Sequence, residues 1–265
     1  NIAGPPDAAL VQKVIDSGAK SVRIFTAWNG FEPGGPGDYP TTANSDYSLH
    51  LRQQVFDDGL QQLNAHGIKP LYVLIDTPAW ANGGAGVLTP PTNPQSFANW
   101  AGEFAAHNRA RGGQVLGYEI WNEADGPDFW HPGPALGQYV ALLKAAHKAG
   151  DPAAVVGTAP LVGNNADWLR QLYGAGAGDS FEAVAVHTDT ACLVNAPDVF
   201  YREDNGDLAR FSFLGYRTVR QVMVENGDAG KPIFMSELGW SSTNGGPTSC
   251  ARGTWAGQKP DGVSE

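Results

Sequence analysis

Gly117-Tyr118-Glu119-Ile120-Trp121-Asn122-Glu123-Ala124-Asp125 begins as an apolar, strand-like run and ends in a carboxylate-bearing turn. The strand reads from Leu116 to Trp121, and ahead of it, from about Pro94 to Ala110, apolar residues recur at helical spacing. Working outward in both directions, the same helix-then-strand unit repeats. Towards the start, a helix from Pro6 to Asp16 precedes the strand Ser21 to Thr26, and a helix from about Tyr47 to Ala65 precedes Leu71 to Ile75. Towards the end, Pro134 to Ala149 precedes Ala154 to Thr158, and a short helix from Asp167 to Tyr173 precedes Ala183 to His187. Phe211 to Glu225 then leads to Ile233 to Ser236. Strands of near-continuous Val, Ile and Leu between helices imply parallel pairing with both faces covered. Loops after strands are long and loops before them short. That asymmetry favours a (β/α)8 TIM barrel, an α/β fold whose functional loops all follow strands, over an open doubly wound sheet.

Asn1-Ile2 reads as the last step of a first strand and Ile233 to Ser236 as the seventh, so the expected barrel lacks part of its first strand and its eighth. A chain of 265 residues, 42% hydrophobic, is long enough to bury one large core, and residues 1–265 are taken as a single domain. Gly (34) and Pro (19) are plentiful while charged residues are only 17%, which points to long surface loops and away from a helical bundle. The net charge of -10, with no basic cluster to offset it, argues against a nucleic-acid partner. No apolar run approaches the roughly 20 residues that span a bilayer, and the first residues do not read as a signal peptide. No Gly-x-Gly-x-x-Gly follows a strand, and Gly83-Gly84-Ala85-Gly86 lacks the Lys-Ser/Thr of a phosphate loop. No His, Cys, Asp and Glu grouping has metal-ligand spacing, and no cofactor is expected.

Glu123 ends one strand-like run, and Glu237 ends another in Pro232-Ile-Phe-Met-Ser-Glu-Leu-Gly-Trp240. Carboxylates at strand ends are held by rigid backbone at the mouth of a parallel sheet, which suits proton transfer and nucleophilic attack. Two such groups are the equipment for cleaving a glycosidic bond. Trp121-Asn122-Glu123 closing one strand and Ser236-Glu237 closing another resemble the retaining glycoside hydrolases of clan A, across most of the chain. Thr77-Pro78-Ala79-Trp80 together with the Trp-Asn-Glu is similar to family 39 and family 5 members, and Glu237 to Ser242 is also similar to the family 17 β-1,3-glucanases.

The resemblance implies that Glu123 is the general acid/base, that Glu237 is the nucleophile, and that Asn122 hydrogen-bonds the sugar 2-hydroxyl. Arg23, in an otherwise apolar strand, needs a carboxylate partner because an unpaired buried charge is costly. The resemblance implies Glu237 for that partner, and Glu119 is the structural alternative. His187 matches a strand-six histidine of the clan's active sites, but Asp189 stands where family 5 often has a tyrosine.

Trp28, Trp80, Trp121, Trp130, Trp240 and Trp255 lie at or after strand ends, placed to stack on pyranose faces, whereas Trp100 and Trp168 fall in helices and read as core. Asp76, Asn29 and Asp125 are candidates for the sugar hydroxyls. Cys192 and Cys250 lie in loops after two different strands and are expected to form a disulfide, which implies an extracellular or otherwise extracytoplasmic, secreted protein. The expectation is thus a monomeric retaining β-glycosidase acting on a poly- or oligosaccharide. A catalytically silent carbohydrate-binding barrel and a transglycosylase sharing the covalent intermediate are the alternatives.

Overall fold

The computed structural model describes residues 1–37, 47–150, 154–188, 198 and 200–239, with residues 47–52 described by backbone alone. The chain forms two compact units. Asn1–Ala159 with Asp179–Ala183 make the first, and Pro160–Gly178 with Val184–Glu265 make the second.

In the first unit, β1 (Ser21–Ala27), β2 (Lys69–Ile75), β3 (Gly117–Ile120) and β4 (Val155–Gly157) pair in parallel in that order. Ile2 joins alongside β1 as a parallel bridge to Ile24, donating its N–H to Arg23 O at 2.8 Å and accepting from Phe25 N at 3.0 Å. The single strand-like step at Asn1-Ile2 is therefore real pairing. Helices α1 (Ala8–Asp16), α2 (Tyr47–Ala65), α4 (Pro94–Ala110) and α5 (Leu136–Ala149) separate the strands, and a one-turn helix α3 (Ala79–Asn82) follows β2.

The helix α4 shows why these residues choose their elements. Asn93 caps it by accepting from Gln95 N at 3.0 Å, and Pro94 occupies the first turn, where its missing N–H costs nothing. Phe97, Trp100, Ala101, Phe104, Ala105 and Asn108 recur at spacings of three and four and are buried. Phe104 lies 5.1 Å from Tyr72 of β2 and 6.3 Å from Tyr118 of β3, two residues paired across the strands on one face. Phe31, Phe56 and Trp100 extend this layer. Truncating any one of these rings costs about 3–5 kcal/mol, the usual scale for a buried aromatic. At Gly102 a Cβ would sit 2.7 Å from Ala149 O, so a glycine is what lets α4 and α5 approach.

The second unit has β5 (Leu161–Val162), β6 (Val184–His187) and β7 (Ile233–Glu237), parallel and in that order, with α6 (Ala166–Gly174) and α7 (Tyr216–Glu225). Asn164 takes a left-handed backbone (φ 68°), and its Nδ2 donates to Arg210 O at 2.9 Å and Ser212 O at 3.2 Å. The loop after β5 is thereby tied to the segment before α7. Two expectations shift. The run Ala154 to Thr158 yields only the short β4, and Pro160, which has no N–H to donate to a ladder, separates it from the unforeseen β5. The helix read from Phe211 begins at Tyr216, after a 3-10 turn at Phe213–Gly215.

Burial pushes the phenols of Tyr72 and Tyr139 well above their ordinary value of 10.0. Tyr118 and Asp57 add to the shift at Tyr72, while the hydrogen bond from Ala159 N works against it at Tyr139. In the unfolded chain both ionise near pH 10. A raised folded-state value means that their stabilisation is fully present below about pH 10 and is lost as pH climbs from there towards the folded value, at about 1.4 kcal/mol per pH unit for each phenol. The Tyr72 hydroxyl has no hydrogen-bond partner among the described residues. Tyr72→Phe is therefore expected to match or exceed the wild type in urea midpoint at pH 7 and to lose stability less steeply between about pH 10 and 11. A steeper loss than wild type would contradict the assignment.

Candidate active site

The face of the first sheet opposite the aromatic layer carries Arg23 and Phe25 of β1, Val73 of β2, Glu119 of β3 and Gly157 of β4; the last four stand level with one another. Arg23 lies one side-chain layer nearer the strand start, and its guanidinium passes Phe25 with Cζ 4.8 Å from the ring centroid. Its Nε donates to Glu119 Oε2 at 2.7 Å and its Nη2 to Asn122 Oδ1 at 2.7 Å. Arg23 is 5%, Glu119 0% and Asn122 1% exposed, so the charges and the amide are held out of water together. Of the two partners weighed for Arg23, Glu119 is the one it meets in this unit.

Beyond Ile120 the backbone turns sharply. Trp121 still accepts its place in the ladder, donating N–H to Leu74 O at 2.9 Å, but it has φ 74°, and Glu123 has φ 43°. Left-handed backbone at bulky residues costs about 1–3 kcal/mol each and persists only where the surroundings over-determine it. Here Trp121 Nε1 donates to Phe129 O at 2.6 Å, the Trp121 ring packs 5.3 Å from Trp130, and Gly126 N donates to Glu123 O at 2.9 Å. The result is a half-buried Glu123 side chain at the C-terminal end of β3.

Asp76, at the end of β2, is also left-handed (φ 67°) and half-buried. A cavity of about 300 Å³ opens there, with Phe25, Ala27, Ile75, Asp76, Leu88 and Phe129 among its lining. The long loop that follows is organised by Asn82, whose Nδ2 donates to Gly86 O at 2.8 Å and Thr89 O at 2.9 Å.

The tryptophans divide differently from the reading by position. Trp80 is half-buried and donates Nε1 to Glu32 O at 2.7 Å. Trp28 is wholly buried, 5.4 Å from Trp80, 5.7 Å from Phe97 and stacked 5.8 Å from Trp100. Trp121 and Trp130 are likewise enclosed. These three rings are packing, with no face presented to a sugar. Glu32, marked by no motif, is the polar seat of this cluster: it is 3% exposed and accepts from Trp28 Nε1 at 2.6 Å and Gly37 N at 2.7 Å.

In the second unit Glu237 closes β7, and its backbone carbonyl accepts from Thr188 N at 3.0 Å. His187, closing β6, is paired with it across the strands; His187 Nε2 lies 3.7 Å from Glu237 Oε1. That separation is too long for a hydrogen bond but close enough for electrostatic contact. His187 is 2% exposed, whereas the Glu237 side chain is 32% exposed. Trp240, Trp255, Asp189, Cys192 and Cys250 lie outside the described residues. Among the described residues no three His, Cys, Asp or Glu side chains are grouped to hold a metal ion, and no helix is long and apolar enough to cross a membrane.

No family model and no curated protein sequence matches the chain. Among solved structures it is similar to a family 39 glycoside hydrolase from the gut symbiont Bacteroides cellulosilyticus WH2, with TM-score 0.65 and 20% identity over 90% of this chain and 48% of that one. It is also similar to a GH39 β-xylosidase from Caulobacter crescentus (0.63, 20%, 88% and 49%) and a glucosidase from Croceicoccus marinus (0.58, 16%, 94% and 52%). The chain spans about half the length of these structures. The likeness shows the fold: the parallel α/β arrangement is that of the TIM-barrel glycoside hydrolases, as the alternation of helices and strands implies.

Replacing Arg23 with Met keeps an unbranched stem but leaves the Glu119 carboxylate buried without its cation. A loss of about 3–5 kcal/mol in denaturant unfolding is expected. A change below about 1 kcal/mol would mean that Glu119 is neutral or hydrated in the folded protein.

Proposed function

We propose that this chain is the catalytic part of a retaining β-glycosidase acting on a poly- or oligosaccharide. The observation that carries the reading is that Glu237 closes the parallel strand β7 and Glu123 stands in the turn just beyond the parallel strand β3, in a fold shared with glycoside hydrolases. Glu237 is the nucleophile. Its carboxylate attacks the anomeric carbon, the bond to the departing oxygen breaks, and that oxygen takes a proton from Glu123, since a sugar alkoxide is too basic to leave unprotonated at neutral pH. Glu123, now ionised, takes a proton from water as the water oxygen displaces Glu237 from the anomeric carbon, so two inversions give net retention.

The environments support these assignments. The Asn122 amide has its oxygen engaged by Arg23, which orients Nδ2 as its donor and suits it to the oxygen of the sugar 2-hydroxyl. His187 Nε2, 3.7 Å from Glu237 Oε1, sets a polar, buried side chain beside the proposed nucleophile. Trp80 and Asp76 remain the candidates for contact with the sugar ring and its hydroxyls, and the mechanism requires no metal.

The test is chemical rescue. Glu237→Gly is expected to lower kcat/KM at least about 10⁴-fold on an unactivated glycoside, with azide or formate restoring turnover of an activated aryl glycoside to give a product of inverted configuration. Glu123→Ala should cost about 10²–10⁴-fold on substrates with poor leaving groups, spare those with good ones, and give with azide a product of retained configuration. Identical behaviour of the two variants would overturn the assignment of roles. A carbohydrate-binding barrel without activity would show no turnover of any aryl glycoside by the wild type.

We further infer an extracytoplasmic protein with Cys192 and Cys250 bridged, from their place in the sequence beyond two different strand-like runs. Thiol titration of the denatured, unreduced protein should then find none. Two reactive thiols would refute the bridge.

A further inference from the structure

We propose that Glu119 is a positioning residue for this reaction: acting through Arg23, it fixes the amide of Asn122 and the turn that aims Glu123. The inference rests on the reading of Glu123 as the acid/base. The geometry is a relay of two short contacts. Glu119 Oε2 accepts from Arg23 Nε at 2.7 Å, and Nη2 of the same planar guanidinium donates to Asn122 Oδ1 at 2.7 Å. A guanidinium held at Nε cannot rotate about its own stem without breaking that bond, so the place of Nη2, and with it Asn122 Oδ1, is set by the Glu119 carboxylate.

Asn122 is the point in the turn where such control matters. It stands between two residues with positive φ, Trp121 at 74° and Glu123 at 43°, in a backbone that bulky side chains rarely adopt. The Trp121 side is held by its ring and by Phe129 O, while the side chain of Asn122 itself is held by Arg23. Glu123 O is held by Gly126 N at 2.9 Å, so releasing Asn122 removes the restraint on the residue before Glu123 and changes where the Glu123 carboxyl points.

Stability alone does not call for this arrangement. Glu119 is wholly buried in a strand whose neighbours are Tyr118 and Ile120, and a buried ion pair is commonly no more stable than apolar residues of similar volume. What an apolar pair could not supply is a fixed donor beneath Asn122.

The experiment compares Glu119→Gln with wild type on two aryl or alkyl glycosides of the same sugar, one with a good and one with a poor leaving group. Misaiming the acid should matter only where the leaving oxygen needs a proton. A fall in kcat/KM of about 10²-fold on the poor leaving group is expected, with a distinctly smaller fall on the good one, where only the Asn122 contact to the sugar is disturbed. In an Asn122→Ala background the same substitution should add almost nothing, because the relay is already cut. A loss equal on both substrates, or one undiminished in the Asn122→Ala background, would show that Glu119 serves the fold only and would overturn the proposal. If Glu119→Gln does not fold, Arg23→Lys makes the same test, since a single ammonium lacks the fork that spans both partners. Its loss should carry the same dependence on leaving group, and a loss without that dependence would overturn the proposal. Failure of the underlying reading looks different: the wild type would then turn over neither substrate, or Glu123→Ala would show no dependence on the leaving group.

Discussion

The buried guanidinium of Arg23 is the constraint around which the first unit is organised. A charge that is 5% exposed inside a sheet must find compensation there, and it finds a carboxylate on β3 and an amide in the turn beyond it. The requirement crosses β2, which supplies only Val73 at that level, so β1 and β3 are locked in register by side chains as well as by the ladders that join each to β2. An apolar core would tolerate a one-residue slip of chemistry more readily than this arrangement, because sliding β3 by one residue would turn Glu119 to the aromatic face and bring Tyr118 inward. One ion pair therefore specifies which residues line the inner face and which pack under α4.

The two faces of that sheet follow different rules, and the sequence revealed them unequally. The outer face is a matter of periodicity: apolar strands answered by helices whose apolar residues recur every three or four positions. That pattern is why parallel strands, their order of appearance and the pairing of Ile2 were all legible. The inner face depends on partners separated by about a hundred residues of chain, and no local pattern names them. Glu119 stood out only as a charge within an apolar strand, with Arg23 as the other; their meeting required the register. Glu32 offered no signal, because its role comes from the loop that brings Trp28 and the Gly37 amide to it.

The tryptophans show the same limit from another side. Position after a strand places Trp28, Trp121 and Trp130 near the end of the sheet but says nothing about which way a ring turns. All three turn inward because the ends of β1 and β3 would otherwise leave voids beside Phe97 and Tyr139. Trp80 differs because α3 and the loop ordered by Asn82 hold it at the margin of that cluster, with its indole N–H on a backbone carbonyl. A ring anchored at its polar edge and only half-buried keeps some of its surface available, whereas one enclosed on all sides is structural whatever its place in the chain.

Left-handed backbone at non-glycine residues occurs in the described chain at Asp76, Trp121, Glu123 and Asn164, and each lies just beyond the C-terminal end of a strand. A glycine would relieve the strain at each, yet it would also remove the side chain that the turn presents. At Asn164 the side chain repays the conformation structurally, through two carbonyls. At Trp121 it does so through packing and Phe129 O. At Glu123 and Asp76 the carboxylates are only half-buried, so burial offsets less of the strain than it does at Trp121. Strain kept where the side chain gives least back in packing, in turns held from beneath by a buried ion pair or bordered by a cavity, is the physical mark that separates these two acids from the others in the sheet.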